Sequence, residues 1–327
     1  MNSIKIKFAA VALCTASIFS SVNSQAETLR LAHIAPPSHV MQQVAERFAT
    51  NLQKESDERF STKISPLAKL GREPQLIKLL QSGGIQFAML TAGELSNRSQ
   101  PLQAWFLPYT FDDVAHAGAM ARSEAGREML DALDSQGMIG LGYVFAGMRH
   151  ILSVDPITSP TDLQNKKIRS FPNQIFSDWW QANGAAPTAM PLSEVSPSLT
   201  TNLLDAVDID LDAIVGLKLY QQAENLSLTN HMAFPTVMVA SKKWWDRLSD
   251  SDREIIIKTF DEAEAWGIQQ QVASEDRNFQ TLKDSSVNIE MVDKKPFQTV
   301  GEEVVNQYAE GDPLIQKIIE QAALLNN

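Results

Sequence analysis

Apolar and polar positions alternate along this chain in two recurring rhythms. Thr28–His33 alternates as a half-buried strand does, and Pro36 and Pro37 end it. From Val40 to Lys54 the apolar residues return at helical spacing, with Ser38 placed to cap the helix. Thr62–Pro66 reads as a second strand, Glu73–Gln81 as a helix closed by Gly83 and Gly84, and Gln86–Leu90 as a buried strand. This β-α-β-α-β alternation predicts a mostly parallel sheet with helices on both faces. The rhythm resumes after Gly147, with strands at Lys167–Ser170, Pro187–Met190 and Ala206–Leu211 and helices at Gln174–Asn183 and Ser193–Asn202. Two such units predict two lobes, and no repeat or low-complexity segment links them.

A longer element follows. Between Asp250 and Asp284 there is no proline and one glycine, Gly267, and two overlapping capping boxes start at Ser249 and Ser251. At 1.5 Å per residue an unbroken helix here runs about 50 Å, against about 30 Å for a single lobe. The apolar positions keep no heptad, which argues against a coiled coil. The helix is therefore expected to brace both lobes. The expected division is 27–147 plus about 235–267 for one lobe and 148–234 plus about 268–327 for the other.

The first residues read as an export signal. Lys5 and Lys7 precede an uncharged run from Phe8 to Phe19, and Ser24-Gln25-Ala26 suits cleavage after Ala26. The run is shorter than the roughly 20 residues a membrane span requires. A periplasmic location is expected. The only cysteine, Cys14, lies inside this segment, and Leu13 before it does not suit lipid attachment. Disulfides, thiol catalysis and thiolate metal sites are thereby excluded from the exported chain.

The formal charge of the 327-residue chain is -11, and removal of Lys5 and Lys7 leaves -13. An acidic balance of that size argues against nucleic acid or an anionic lipid surface as partner. An acidic protein that binds anions must concentrate positive charge locally, so individual arginines carry the interest. No G-x-S-x-G, H-E-x-x-H, Walker or G-x-G-x-x-G pattern occurs, and His33, His39, His116, His150 and His231 lack ligand spacing. No enzyme, cofactor or metal site is expected.

Arg149 follows Gly147 at a crossing between the lobes, and Arg169 ends the strand Lys167–Ser170, where α/β sheets place ligands. A guanidinium there grips a carboxylate with two parallel hydrogen bonds, each worth roughly 1.5–3 kcal/mol net. Chemistry alone leaves a surface salt bridge as the commoner role.

Several segments resemble the solute-binding subunit of the tripartite ATP-independent periplasmic (TRAP) transporters, the dicarboxylate- and sialate-binding type. They are residues 69–89, Leu107-Pro108-Tyr109, Pro160–Arg169, Gly184–Val195, Thr229-Asn230-His231 and Trp244–Ser249. The resemblance runs from about Thr28 to the C-terminus. It implies a two-lobed α/β periplasmic binding protein with a long domain-spanning helix and a small organic acid held between the lobes. Arg169 then corresponds to the residue that pairs with the substrate carboxylate, and Arg149 to its assistant. His33, Ile34, Thr91 and Phe171 fall beside the cleft, and Phe234 is expected to form an apolar wall. The implied partners are a carboxylate solute and the membrane subunits of the transporter, with the binding protein a monomer.

One segment departs from the family pattern. Leu204–Asp212 carries Ala206 where a glycine is common and Ile209 where a polar ligand residue is common. If strand alternation continues, Asp208, Asp210 and Asp212 share one face and Ile209 the other. Either Asp208 or Asp210 faces the solute and accepts hydrogen bonds from hydroxyls or an ammonium group, or these acids cap a following helix or face water. A sensor subunit presenting its ligand to a receptor is the alternative function, and a periplasmic hydrolase or lyase a more distant one.

Overall fold

A computed structural model describes residues 26–325; the segment expected to be an export signal, apart from Ala26 and including Cys14, lies outside the described residues. The chain first lays down β1 (Glu27–Ala32), α1 (Val40–Glu55), β2 (Phe60–Ser65), α2 (Glu73–Ser82), β3 (Phe87–Thr91), α3 (Ala92–Ser96), α4 (Val114–Ala121), α5 (Glu124–Asp131) and β4 (Met138–Met148). It then crosses to β5 (His150–Ser153), β6 (Lys167–Ser170), α6 (Gln174–Ala182), β7 (Ala186–Ala189), α7 (Val195–Thr200), β8 (Ala206–Ile209), α8 (Leu211–Gly216) and β9 (Asn225–Ser227). It returns in β10 (Ala233–Ser241) and α9 (Lys242–Trp245), and ends with α10 (Asp250–Lys283), β11 (Asn288–Glu290), α11 (Lys295–Ala309) and α12 (Pro313–Leu325).

Two sheets result, ordered β2-β1-β3-β10-β4 and β11-β9-β5-β8-β6-β7. The expectation of mostly parallel pairing holds for β1 with β2 and β3, and for β6 with β7 and β8. Each sheet also contains one strand that runs against its neighbours: β10 in the first, β5 in the second. Both are crossing strands, entered immediately after the chain changes lobe. The crossings pair with each other, since Arg149 N donates to Met232 O at 2.8 Å and His231 N to Arg149 O at 3.2 Å.

Alternate residues of one strand enter different cores, as a sheet covered on both faces requires. Phe87 and Met89 pack with α1 and α10, whereas Ala88 and Leu90 pack on the opposite face. That second core continues into the other lobe through Phe106, Phe176, Phe171 and Phe234, whose ring centroids lie 4.8–6.1 Å apart. The lobes therefore share apolar material beside their crossings.

Helix α10 runs unbroken for 34 residues, with Ser249 Oγ accepting from Asp252 N at 3.2 Å as its cap. It packs on α1, α4 and β4 of the first lobe and on α8 of the second. Gly267 is the residue that lets α1 close on it, because a Cβ there would stand 2.6 Å from Val44. Two local expectations are corrected. Helix α1 is capped by His39, not Ser38, since the His39 Nδ1 accepts from Met41 N at 3.1 Å. Helix α12 packs on α4 and α5 of the first lobe, while only α11 of the final pair packs on α6 of the second.

Candidate functional site

The strand ends of the two sheets face each other across a cleft. Its inner pocket, with a volume of about 50 Å³, is bounded by Ile34, His39, Thr91, Arg149, Arg169, Phe171, Ile209, Asp210 and Phe234, among others. It shares Ile34, Pro36, Arg169, Phe171 and Leu192 with an outer chamber of about 440 Å³. Eight of the ten residues expected at the site thus meet at one cavity: Arg169, Arg149, Asp210, Thr91, Ile34, Phe171, Ile209 and Phe234.

The two arginines are in different electrostatic situations. Arg149 leaves the first crossing already compensated: Nε donates to Asp208 Oδ1 at 2.5 Å and Nη1 to Asp210 Oδ2 at 3.1 Å. Its Nη2 also donates to the Asp208 carbonyl, and the guanidinium lies 4.4 Å above the Phe234 ring. Arg169, at the end of β6, is 3% exposed and forms no ion pair among the described residues. Its Nε donates to Met190 O at 3.1 Å and Nη1 to Asp208 O at 3.3 Å. Carbonyl dipoles hold the group in place without cancelling its charge. Burial, and then the neighbouring Arg149 charge, lower its pKa to about 10, so it remains a cation at neutral pH.

The three aspartates part company, because β8 ends at Ile209 and the strand alternation ends with it. Asp208 is fully buried and does not reach the cavity wall. Its Oδ1 serves Arg149, and its Oδ2 accepts from Trp180 Nε1 at 3.1 Å with His231 Nε2 3.7 Å away. Burial alone would raise its pKa, but the Arg149 charge, aided by His231, holds it well below the usual carboxylate range. Asp210 caps α8 by accepting from Ala213 N at 2.8 Å while its other oxygen meets Arg149 at the pocket edge. Asp212 turns away to Gln271, Ser274 and Asn278 of α10, at 2.6, 2.9 and 2.8 Å. The expectation that Asp208 faces the solute is therefore corrected, since ion pairing and the Trp180 bond occupy its carboxylate.

His33 is likewise corrected. It is fully buried, and its Nε2 meets Gln42 Oε1 of α1 at 2.8 Å, away from the pocket. Several wall residues are not evident from sequence, His39 and Glu73 among them. In sequence His39 is one of five scattered histidines, and its adjacency to a helix start is the available signal. Glu73 stands in sequence only as a helix start in a family-like block. Its carboxylate accepts from Thr91 N at 2.5 Å and from Thr91 Oγ1 at 3.1 Å, and it lines the outer chamber.

Burial pushes the Glu73 carboxyl up to about 7, and desolvation beside Met148 N, with Asp210 and Asp212 nearby, pushes Glu275 up to about 8. A carboxyl raised on folding keeps its proton in the native chain after the unfolded chain has lost it, so rising pH removes stability up to the folded pKa. Buried His33, His150 and His231, all lowered by desolvation, act in the opposite direction but only below their unfolded value of 6.5. Above pH 7 the carboxyls decide the sign. The unfolding temperature is expected to fall from pH 7 to about pH 8 and then level off, with Glu275→Gln removing most of the slope. A flat profile in the parent over that interval would contradict the assignment.

Two sheets joined by paired crossings and braced by one helix, with a buried cation in the cleft, define a two-lobed solute-binding protein. The same conclusion follows from comparison with known proteins. Residues 31–312 match the model of bacterial extracellular solute-binding protein family 7, and the chain belongs to that family. It is 26% identical over 268 residues to the C4-dicarboxylate-binding periplasmic protein DctP of Shewanella loihica, covering 81% of this chain and 80% of that one. It is 26% identical over 311 residues to the sialic acid-binding periplasmic protein SiaP of Vibrio cholerae, covering 94% and 97%. A TRAP periplasmic solute-binding protein of Xanthobacter autotrophicus, solved with bound β-D-galacturonate, superposes with a TM-score of 0.86 at 26% identity, covering 90% of this chain and 99% of that one.

Proposed function

We propose that this protein captures a small organic acid in the cleft and delivers it to the membrane subunits of a TRAP transporter. The observation that carries the reading is Arg169, a buried guanidinium on the cavity wall that forms no ion pair among the described residues, with Asp208, Asp210 and Glu73 acting on it only at longer range. An unpaired buried charge is costly, and a carboxylate from the solute supplies the missing partner. Phe171, 5.8 Å from the Arg169 guanidinium carbon, and Phe234 supply apolar walls of the kind small-ligand sites use. The relatives named for dicarboxylate and sialic acid, and the neighbour holding galacturonate, support an organic acid as the solute class.

In this reading the protein is an exported, periplasmic monomer cleaved after Ala26, with binding and not catalysis as its task. The lobes comprise 27–147 with about 235–267, and 148–234 with about 268–309, and α12 rejoins the first lobe. Closure about the crossings at 147–149 and 228–233 buries the Arg169–carboxylate pair and biases the closed form that the membrane subunits recognise. Gly147, at φ 118°, occupies a backbone conformation that suits glycine at the first crossing.

The test is a thermal-unfolding screen of the mature protein against sugar acids, dicarboxylates, 2-oxo acids and zwitterions, with uncharged sugars as controls. A ligand at a hundred times its Kd stabilises by about 2.7 kcal/mol. At least one carboxylate class is expected to raise the unfolding temperature and no uncharged sugar to do so. Absence of any carboxylate response would remove the proposal.

A further inference from the structure

The outer chamber carries a charge arrangement that selects among organic acids. Besides Arg169 its lining includes Glu73 and Glu94. Glu73 is 6% exposed, and both of its oxygens act as acceptors, from Thr91 N and Thr91 Oγ1. The hydroxyl of Thr91 accepts from Glu94 N at 3.1 Å, so its own proton is committed to Glu73. No lysine, arginine or histidine pairs with Glu73 among the described residues, and the positive charge that acts on it at longer range is Arg169 itself. Glu94 is met by Arg98 at 3.5 Å. The one cation on this wall, Arg72, is engaged across the cleft mouth by Glu194 at 2.8 Å. The chamber lining therefore holds a buried cation and a buried carboxylate, neither of them in an ion pair among the described residues.

Resting on the reading of Arg169 as the carboxylate clamp, we infer that the solute is a monocarboxylate bearing hydrogen-bond donors away from its acid group, and that Glu73 is the residue that excludes a second carboxylate. A hydroxyl or an ammonium group on the solute donates to the lone pairs that Thr91 leaves on Glu73. A second carboxylate brings no proton to donate and meets a like charge, the arrangement by which binding sites reject wrong partners. The volume of about 440 Å³ accommodates a five- or six-carbon hydroxy acid as well as a shorter one.

The experiment is isothermal titration of the ligand-freed mature protein at pH 8 with matched acids. The pairs are gluconate against glucarate and 4-hydroxybutyrate against succinate, with 4-aminobutyrate separating an ammonium donor from a hydroxyl. At least one monoacid is expected to bind tenfold or more tightly than its diacid counterpart. Glu73→Gln, which keeps an acceptor for Thr91 N, is expected to narrow that gap to less than about threefold by removing the like charge. A diacid that binds the parent as tightly as its monoacid, through Arg169, overturns the role of Glu73 and leaves the clamp standing. Failure of every acid to bind the parent overturns both. The parent comparison alone decides the selectivity if Glu73→Gln does not fold.

Discussion

Replacing Asp208 by alanine is expected to destabilise the ligand-free protein by about 3–5 kcal/mol, the range found when one partner of a buried ion pair is removed. The argument follows from what the carboxylate holds. It receives Arg149 Nε at 2.5 Å and Trp180 Nε1 at 3.1 Å, with Asp208 itself fully buried. Alanine leaves a guanidinium with Asp210 as its only remaining carboxylate, and an indole N–H without a partner, in a region water does not reach. Chemical denaturation of parent and variant, compared at equal m-value, measures the effect. Combining Asp208→Ala with Arg149→Met should recover a large part of the loss, because the second change removes the cation that the first one stranded. Strict additivity would show that the pair is not the source. The pH dependence has a definite sign as well. The Asp208 pKa is depressed on folding, so its contribution is present above the unfolded value of 3.8 and is lost only as pH falls through the still lower folded value. The difference between parent and variant should therefore be as large at pH 5 as at pH 7.

The aspartates also show how far the sequence could be read. Periodicity located α1, β6, α6 and α10 to within a residue or two, because each buries one clear face or is long and uninterrupted. It had no means of assigning direction to β10, whose nine residues are all buried and so carry no alternation at all. The reading of Asp208, Asp210 and Asp212 as one face extrapolated the strand by two residues too many. The chain turns at Asp210 because that side chain caps α8, so Asp208 and Asp210 share Arg149 from different positions while Asp212 turns to α10. Arg169 was legible because a strand end in an α/β sheet is a defined place. The ion pairing that distinguishes Arg149 from Arg169 was not, since it joins residues about sixty positions apart. Glu73 is hidden for a related reason: it starts helix α2, and its partner, Thr91, lies eighteen residues on, at the end of β3.

That distinction leads to opposite effects for two chemically identical substitutions. Arg149→Met strands Asp208 and Asp210 and should destabilise the ligand-free protein by about 3–5 kcal/mol. Arg169→Met removes a buried cation that no acid contacts in an ion pair among the described residues, and methionine fills much of the same volume with apolar atoms. The ligand-free variant should therefore be as stable as the parent or more stable by about 1–2 kcal/mol, as when buried charge gives way to well-packed apolar groups. Toward ligand the order reverses. A solute carboxylate that loses the one cation not already paired with an acid in a buried site forfeits about 2–5 kcal/mol, which corresponds to roughly thirtyfold to several thousandfold in Kd. Calorimetric titration and thermal unfolding of both variants, each with and without the acid that stabilises the parent, separate the two roles. Equal destabilisation by both substitutions would mean that Arg169 is held by a hidden counter-charge. Retained affinity in Arg169→Met would place the carboxylate elsewhere. If the signs diverge as expected, the same charge that makes the empty cleft costly is the one that makes the occupied cleft stable, and closure follows from filling it.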